Sequence, residues 1–397
     1  MLIKNTSILY GNDLDYIKRT NIRISGKFVK AIGPNLKPYK KEDTRDCEGL
    51  LMVPGFINAH THVGDSIGKD IGIDFGPEEK IHPIMGFKQK ILKNSQKSHL
   101  TSFIRNSCLS MIKKGITTLI DFREGGLNGI ELLRNATKGL PIRTIILGRI
   151  DYYQELNSIK KNTQLPDSKK EELKTLLKKC DGIGISGPNE FSDSVLKFYS
   201  RVPKIRAIHS AETLESCRTS KKITTKTETQ RALLLKPNFL VHMTYASKKD
   251  LMIASKNKTS IVVCPRANAA LAEGIPNVSL MMQNGCNLTI GTDNVMINSP
   301  DMFREMDYLW KVSMGLQKIR LPPKSILKMA TVNAAKMLQN KNLGVIQSNS
   351  LADLIFINKH DIDLEPMHNP YASIVHRASE RTIKAVMIGG KIVHGKI

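Results

Sequence analysis

Five positions in this chain carry side chains that can hold a metal ion and move protons beside it: His60, His62, His209, His242 and Asp293. Neutral imidazole nitrogens and a carboxylate oxygen are borderline ligands suited to zinc or iron, and a small set of them leaves a position open for water. Metal lowers the pKa of that water from about 15.7 towards about 7, so hydroxide becomes available at neutral pH. Hydrolysis then needs a proton carrier. Glu212, three residues beyond His209 in His209-Ser210-Ala211-Glu212, stands where it can serve as one. The pair His60-Thr61-His62 does not specify a metal by itself; we expect a bend at the end of the preceding strand to turn both rings onto one ion.

The elements that must position these residues can be read from the apolar pattern. Near-continuous hydrophobic runs suit buried parallel strands at Met52–Ile57, Ile116–Phe122, Arg143–Leu147, Gly182–Ser186, Lys204–Ile208, Phe239–Met243, Ser260–Cys264 and Asn287–Thr292. Amphipathic stretches such as Leu100–Lys114, Ser168–Lys179, Ser192–Tyr199, Thr227–Leu235 and Met302–Met314 fall between or after them. Strands alternating with helices predict an α/β protein, a TIM (β/α)8 barrel over residues 51–344. His209 ends the fifth run, His242 lies near the end of the sixth and Asp293 ends the eighth, where barrel side chains point into the catalytic mouth. The other histidines (His82, His99, His360, His368, His376 and His394) fall in loops or outside the barrel, and ordinary roles suit them.

Short β-rich stretches at both ends predict a small composite β-sandwich of residues 1–50 plus 345–397. The segment Gly64–Ser98 is long, rich in glycine and proline, and follows the first strand, so we read it as a lid or substrate wall.

Composition bounds the function. Of 397 residues, 41% are hydrophobic and 24% charged, the balance of a soluble globular protein. Without a signal-like apolar core at Met1–Tyr10 or a run able to cross a bilayer, we expect a cytoplasmic protein with no membrane role. Six separated cysteines form no Cys-x-x-Cys pair and read as reduced, packed thiols. The net charge of +24 raises the question of nucleic acid, but its lysines come in small pairs such as Lys169-Lys170 and Lys248-Lys249 with no aromatic-studded basic ribbon. Solvated surface accounts for them, with an anionic small-molecule substrate as the next reading.

Several ordered stretches resemble the amidohydrolase superfamily, and within it the S-adenosylhomocysteine and adenosine-type deaminase and chlorohydrolase branch. They are Val53-Pro54-Gly55-Phe56-Ile57-Asn58-Ala59-His60-Thr61-His62, Gly115-Ile116-Thr117-Thr118, Ile208-His209-Ser210-Ala211-Glu212-Thr213, Val241-His242, Cys264-Pro265-Arg266-Ala267-Asn268 and Gly291-Thr292-Asp293-Asn294. The resemblance implies one divalent metal, zinc ahead of iron or manganese, held by His60, His62, His209 and Asp293. It further implies that His242 touches the metal-bound water or the substrate, that Glu212 shuttles the proton, and that Asp293 also accepts the proton of the water. Deamination of a purine- or pyrimidine-like ring is the reaction it implies. The fourth strand reads Gly182-Ile183-Gly184-Ile185-Ser186, without the lysine of binuclear members, which favours one metal.

Where nucleoside deaminases of this kind carry a substrate-contacting histidine, the chain has Gly187-Pro188-Asn189-Glu190, so Asn189 is a candidate replacement. Arg123 and Glu124 at the end of the second strand, and Asn268 after the seventh, are further candidate substrate contacts; an arginine there could clamp a carboxylate or phosphate. Ring opening of a cyclic amide is the alternative reaction, and a silent assembly subunit the non-enzymatic one. A homo-oligomer is compatible with all three.

Overall fold

The computed structural model describes residues 1–397, the side chains of Pro77 and Glu78 excepted. Its centre is a parallel sheet whose strands run in chain order: Phe56–His62, Ile116–Arg123, Arg143–Gly148, Gly182–Ile185, Ile205–Ser210, Phe239–His242, Ser260–Val263 and Leu288–Ile290. The last strand pairs with Ser260–Val263, and the two-residue strand that follows, Asp293–Asn294, pairs with the first, Asp293 lying opposite Thr61. The sheet thus turns back on its own first strand, a TIM-like barrel with the strand C-termini gathered at one mouth. Gly291, between those two short strands, passes so close to the first strand that a Cβ there would lie 2.6 Å from the His60 Cβ. A side chain at 291 would push His60 out of place.

Both ends of the chain enter one hydrogen-bonded sheet. Its strands are Leu2–Tyr10, Asp15–Ser25, Phe28–Gly33, Thr44–Asp46 and Leu50–Pro54 from the front, with Leu354–Asn358, Ile383–Ile388 and Lys391–Gly395 from the back. Alternation divides its faces. Leu51, Val53, Ile355 and Ile357 join the main core, while Leu50, Met52, Leu354 and Phe356 pack with Ile3, Ile8 and Ile22 in a second cluster. The termini therefore form one continuous sheet, one face of which is shared with the barrel's core.

The expected first barrel strand, Met52–Ile57, straddles two sheets. Leu50–Pro54 pairs with Leu354–Asn358 and with Leu2–Tyr10, and the barrel strand begins at Phe56. The backbone makes the switch at one step: the Gly55 N–H goes to the Asp353 carbonyl of the terminal sheet, the Phe56 N–H to the Gly115 carbonyl of the barrel. Asp353 adds a second tie, its carboxylate accepting from the Arg143 guanidinium at 3.0 Å and from the Gly389 N–H at 2.7 Å.

The segment Gly64–Ser98 carries more structure than its composition suggests. A 3-10 turn at Val63–Gly68 is followed by helices Pro77–Ile81 and Phe87–Asn94, before the long helix Lys97–Lys113. Among the described residues no helix is long and apolar enough to cross a membrane, and all six cysteines are free.

Candidate metal centre and its cavity

His60 and His62 both lie within the first strand, which runs to His62. Residues two apart on a strand share a face, so no bend is needed to bring the rings together, and the expectation of one is corrected. His209 is carried by the fifth strand, His242 ends the sixth, and Asp293 follows the eighth. Around this rim Ala211, His242, Met243 and Asp293 all have positive φ, between 50° and 73°. Four non-glycine residues in the left-handed region are local strain gathered where the chains leave the barrel.

The side chains converge. His60 Nε2 lies 3.2 Å from His209 Nε2 and 3.3 Å from an Asp293 oxygen, and His62 Nε2 lies 3.6 Å from that same oxygen. Potential ligand atoms of His60, His62 and His209 lie within 4.8 Å of one another, as do those of His60, His242 and Asp293. The outer nitrogens fix the orientation of the rings: His62 Nδ1 faces Glu124 Oε1 at 2.8 Å, and His209 Nδ1 faces the Ile185 carbonyl at 3.0 Å. Both partners are acceptors, so each Nδ1 carries the proton and each Nε2 presents its lone pair inward. A carboxylate and inward-facing imidazole lone pairs in so small a space form a donor set that a divalent metal ion fits.

Electrostatics agree. Burial drives the imidazolium form of His60 and His209 down, and burial with the nearby Lys88 cation brings His62 down to about 4, so these rings are neutral at pH 7. For Asp293, burial works to raise the carboxyl, but its hydrogen bond to His60 and the neighbouring imidazoles outweigh it and hold the group below the usual carboxylate range.

Beside this cluster His242 Nε2 lies 3.3 Å from a Glu212 oxygen and 3.9 Å from Asp293, while its Nδ1 faces Asn268 Oδ1 at 3.3 Å. His62, His209, Glu212, His242 and Asp293 line a cavity of about 430 Å³. Glu124 and Asn189 line it too; Asn189 is held by the Ser216 carbonyl and by Arg231. Asn268 is not among the lining residues and reaches the site only through His242.

Arg123 also departs from expectation. Its guanidinium is engaged by Glu124 at 3.1 Å and lies near Asp121 at 3.6 Å, stacked so tightly over Gly64 that a Cβ there would fall 1.8 Å from Nη2. It does not line the cavity, so the expected clamp is turned inward to hold Glu124. Lys88, from helix Phe87–Asn94, reaches the same carboxylate at 2.5 Å. Although burial works against ionisation, Lys88, His62 and Arg123 keep Glu124 charged, well below the ordinary glutamate range.

Lys88, Arg149, Ser186, Glu228 and His82 line the cavity and were not among the expected site residues. Arg149 was findable, since it directly follows the third strand, Arg143–Gly148, as the other mouth residues follow theirs. His82 belongs to the segment read as a wall but was assigned an ordinary loop role. Glu228, at the start of a short helix, carries no comparable signal.

A parallel barrel with imidazoles and a carboxylate clustered at its strand C-termini defines the class: a metal-dependent hydrolase. The chain belongs to the amidohydrolase family, whose model matches residues 51–393. A Methanothermobacter thermautotrophicus protein with a provisional aminohydrolase name is 37% identical over 399 residues, 99% of each chain. A 5-methylthioadenosine/S-adenosylhomocysteine deaminase of Thermococcus sibiricus is 29% identical over 420 residues, covering 99% of this chain and 93% of its own. Among solved structures, an adenosine deaminase from Xanthomonas campestris with bound zinc superposes with a TM-score of 0.83 at 18% identity, covering 98% of this chain and 92% of its own. The zinc complex of atrazine chlorohydrolase from Arthrobacter aurescens does so with 0.83 at 16% identity, over 99% and 95%. These two likenesses are of fold.

Proposed function

We propose that the chain is a mononuclear metal-dependent aminohydrolase that deaminates a nucleoside- or nucleobase-like ring in the cytoplasm. The observation that carries this reading is the convergence of His60, His62, His209 and Asp293 beside the Glu212–His242 contact of 3.3 Å, at the wall of one cavity. The deaminase name of a relative matched over nearly its whole length supports the choice of reaction. His60, His62, His209 and Asp293 hold one divalent ion, zinc ahead of iron or manganese; the fourth strand, Gly182–Ile185, offers no lysine for a second.

When bound, such a metal makes water acidic and nucleophilic near neutral pH. The residues do the rest. Asp293 accepts one proton from the attacking water, whose oxygen bonds to the ring carbon bearing the amino group. Glu212 takes up the other proton of that water and gives it to the ring nitrogen; the proton held by Asp293 then passes through the ionised Glu212 to the departing amino nitrogen, so the C–N bond breaks, ammonia leaves and a ring carbonyl remains. His242, held at Nδ1 by Asn268 and with Nε2 close to both carboxylates, steadies the oxygen that carries the developing negative charge once Nε2 has taken a proton from one of them. Asn189 and Glu124 flank the substrate.

The test pairs elemental analysis of the purified protein with an ammonia-release screen over purines, pyrimidines, nucleosides, their phosphates and S-adenosylhomocysteine. We expect about one metal ion per chain and metal-dependent ammonia release from one compound class. Metal without ammonia would point to cyclic-amide ring opening. Absence of metal, even after adding it back, would sink the metal-hydrolase reading.

A second expectation concerns the support behind His62. Glu124→Gln removes the charge that orients Nδ1, and outer partners of this kind contribute about 10- to 100-fold in metal affinity. Competition against a chelator of known strength measures it, and an unchanged metal affinity would refute this role for Glu124.

A further inference from the structure

A cavity of about 630 Å³ opens where the later barrel strands begin, at the end opposite the metal ligands. Arg206 lies early in the strand Ile205–Ser210, Asn238 directly precedes Phe239–His242, Ser260 begins Ser260–Val263 and Asn287 directly precedes Leu288–Ile290. Four cations line this space: Arg206, Lys236, Lys258 and Lys336. None of them is in an ion pair among the described residues, and no aspartate or glutamate shares the lining. Burial pushes the Arg206 pKa down and no neighbouring carboxylate offsets it, yet a guanidinium keeps its proton at neutral pH.

A lysine at a helix end is ordinary, because the dipole favours a cation there, and that covers Lys236, Lys258 and Lys336 taken singly. It does not cover Arg206, which belongs to a strand, or the convergence of all four on one space without a carboxylate. Like charges gathered in this way repel unless an anion enters among them. The neutral groups beside them are already fixed: Asn238 Oδ1 accepts from the Arg206 backbone N–H at 2.9 Å, and Asn287 Nδ2 donates to Ser260 Oγ at 2.9 Å. The guanidinium is braced as well, Nε donating to the Lys236 carbonyl and Nη1 to those of Val202 and Lys204, while Nη2 bonds to nothing among the described residues. No aromatic ring lines the cavity among the described residues, so it offers no surface on which a base could stack.

We propose that this cavity is a second binding site, which takes an oligophosphate anion through Arg206, Lys236, Lys258 and Lys336. A chain of two or three phosphates carries several negative charges at pH 7, enough to meet all four cations at once. The braced guanidinium suits a two-pronged bond to one phosphate, and the flexible lysines act as point charges around the rest. The anion is either a free inorganic oligophosphate or the phosphate chain of a nucleotide; without a ring to stack a base, the two bind alike. The site stands apart from the metal centre and does not depend on the reaction catalysed there. It gives part of the net charge of +24 a local purpose.

Calorimetric titration of the metal-loaded chain with sodium tripolyphosphate tests the proposal. We expect one anion per chain, adenosine triphosphate binding within about threefold of it, and orthophosphate binding at least about tenfold more weakly. Lys258→Gln/Lys336→Gln, two changes at exposed positions that leave Arg206 and its bonds in place, should weaken tripolyphosphate by about 10- to 100-fold. Lys248→Gln/Lys249→Gln removes the same charge from the start of the helix Lys248–Lys256, at the other end of the barrel, and should leave Kd within about twofold. Oligophosphates also chelate metal ions, so each titration is repeated on chelator-treated protein, where the same affinities are expected. Melting temperature is a second readout: tripolyphosphate should raise it in wild type and in the Lys248/Lys249 variant, but not in the Lys258/Lys336 variant. Four results would each overturn the proposal: no binding by wild type, equal losses in the two double variants, binding abolished by removing the metal, or a nucleotide bound more than about tenfold tighter than tripolyphosphate. All four would leave the deaminase reading intact.

Discussion

His209→Asn is expected to yield a folded protein that has lost its metal and nearly all turnover, with kcat/KM down by about 10⁴-fold. His60 belongs to two possible ligand groups, one with His62 and His209 and one with His242 and Asp293. Asparagine at 209 breaks only the first, so the variant asks which group holds the ion. On the proposed assignment, metal content falls to near zero in His209→Asn and stays near wild type in His242→Asn, which loses turnover alone. Melting temperature supplies a second readout, because an ion that binds only the folded chain stabilises it by about 4 kcal/mol at a thousandfold excess over its Kd. That increment should vanish in His209→Asn and in wild type treated with chelator, and survive in His242→Asn. Metal retained by His209→Asn at wild-type affinity would reject the assignment.

Much of this architecture was legible because parallel barrel strands are buried on both faces and read as continuous apolar runs. Ile116–Arg123, Arg143–Gly148 and Ile205–Ser210 were each located to within one or two residues at the ends. The first strand was misplaced for the same reason. Leu50–Pro54 and Phe56–His62 are both wholly buried, and apolar character cannot say that the chain changes sheets at Gly55. Helix Gly126–Thr137 was passed over because it opens on glycines, poor helix formers that here follow a left-handed Gly125.

At the site, position along a strand was informative and orientation was not. His60, His62, His209, His242 and Asp293 were singled out because strand ends share one mouth, and the structure does bring them together. Whether a polar residue near that mouth faces the cavity depends on its partners. Arg123 and Arg149 both stand at strand ends, yet Asp121 and Glu124 draw the first inward while the second has no such pair. Lys88 illustrates the limit: it sits on a helix inside the segment read as a lid or substrate wall, and only tertiary packing brings its ammonium to Glu124.

Glu212→Gln is the sharpest test of the proton pathway, with kcat expected to fall by about 10²- to 10⁴-fold while metal content and folding persist. A structural role for Glu212 would be to satisfy free amides at the start of the helix that follows. In the structure that helix, Leu214–Thr224, is capped by Thr213, whose side chain accepts from the Ser216 N–H. Glu212 points instead to the cavity and to His242. Glutamine keeps the shape and can still accept a hydrogen bond, but it cannot take up a proton and release it to the leaving nitrogen. The loss should therefore fall on kcat, with little change in substrate Kd. Because Glu212 and His242 serve the same step, the double variant Glu212→Gln/His242→Asn should be scarcely slower than the slower single variant. Full additivity of the two losses, or a glutamine variant with wild-type kcat, would remove Glu212 from the proton path.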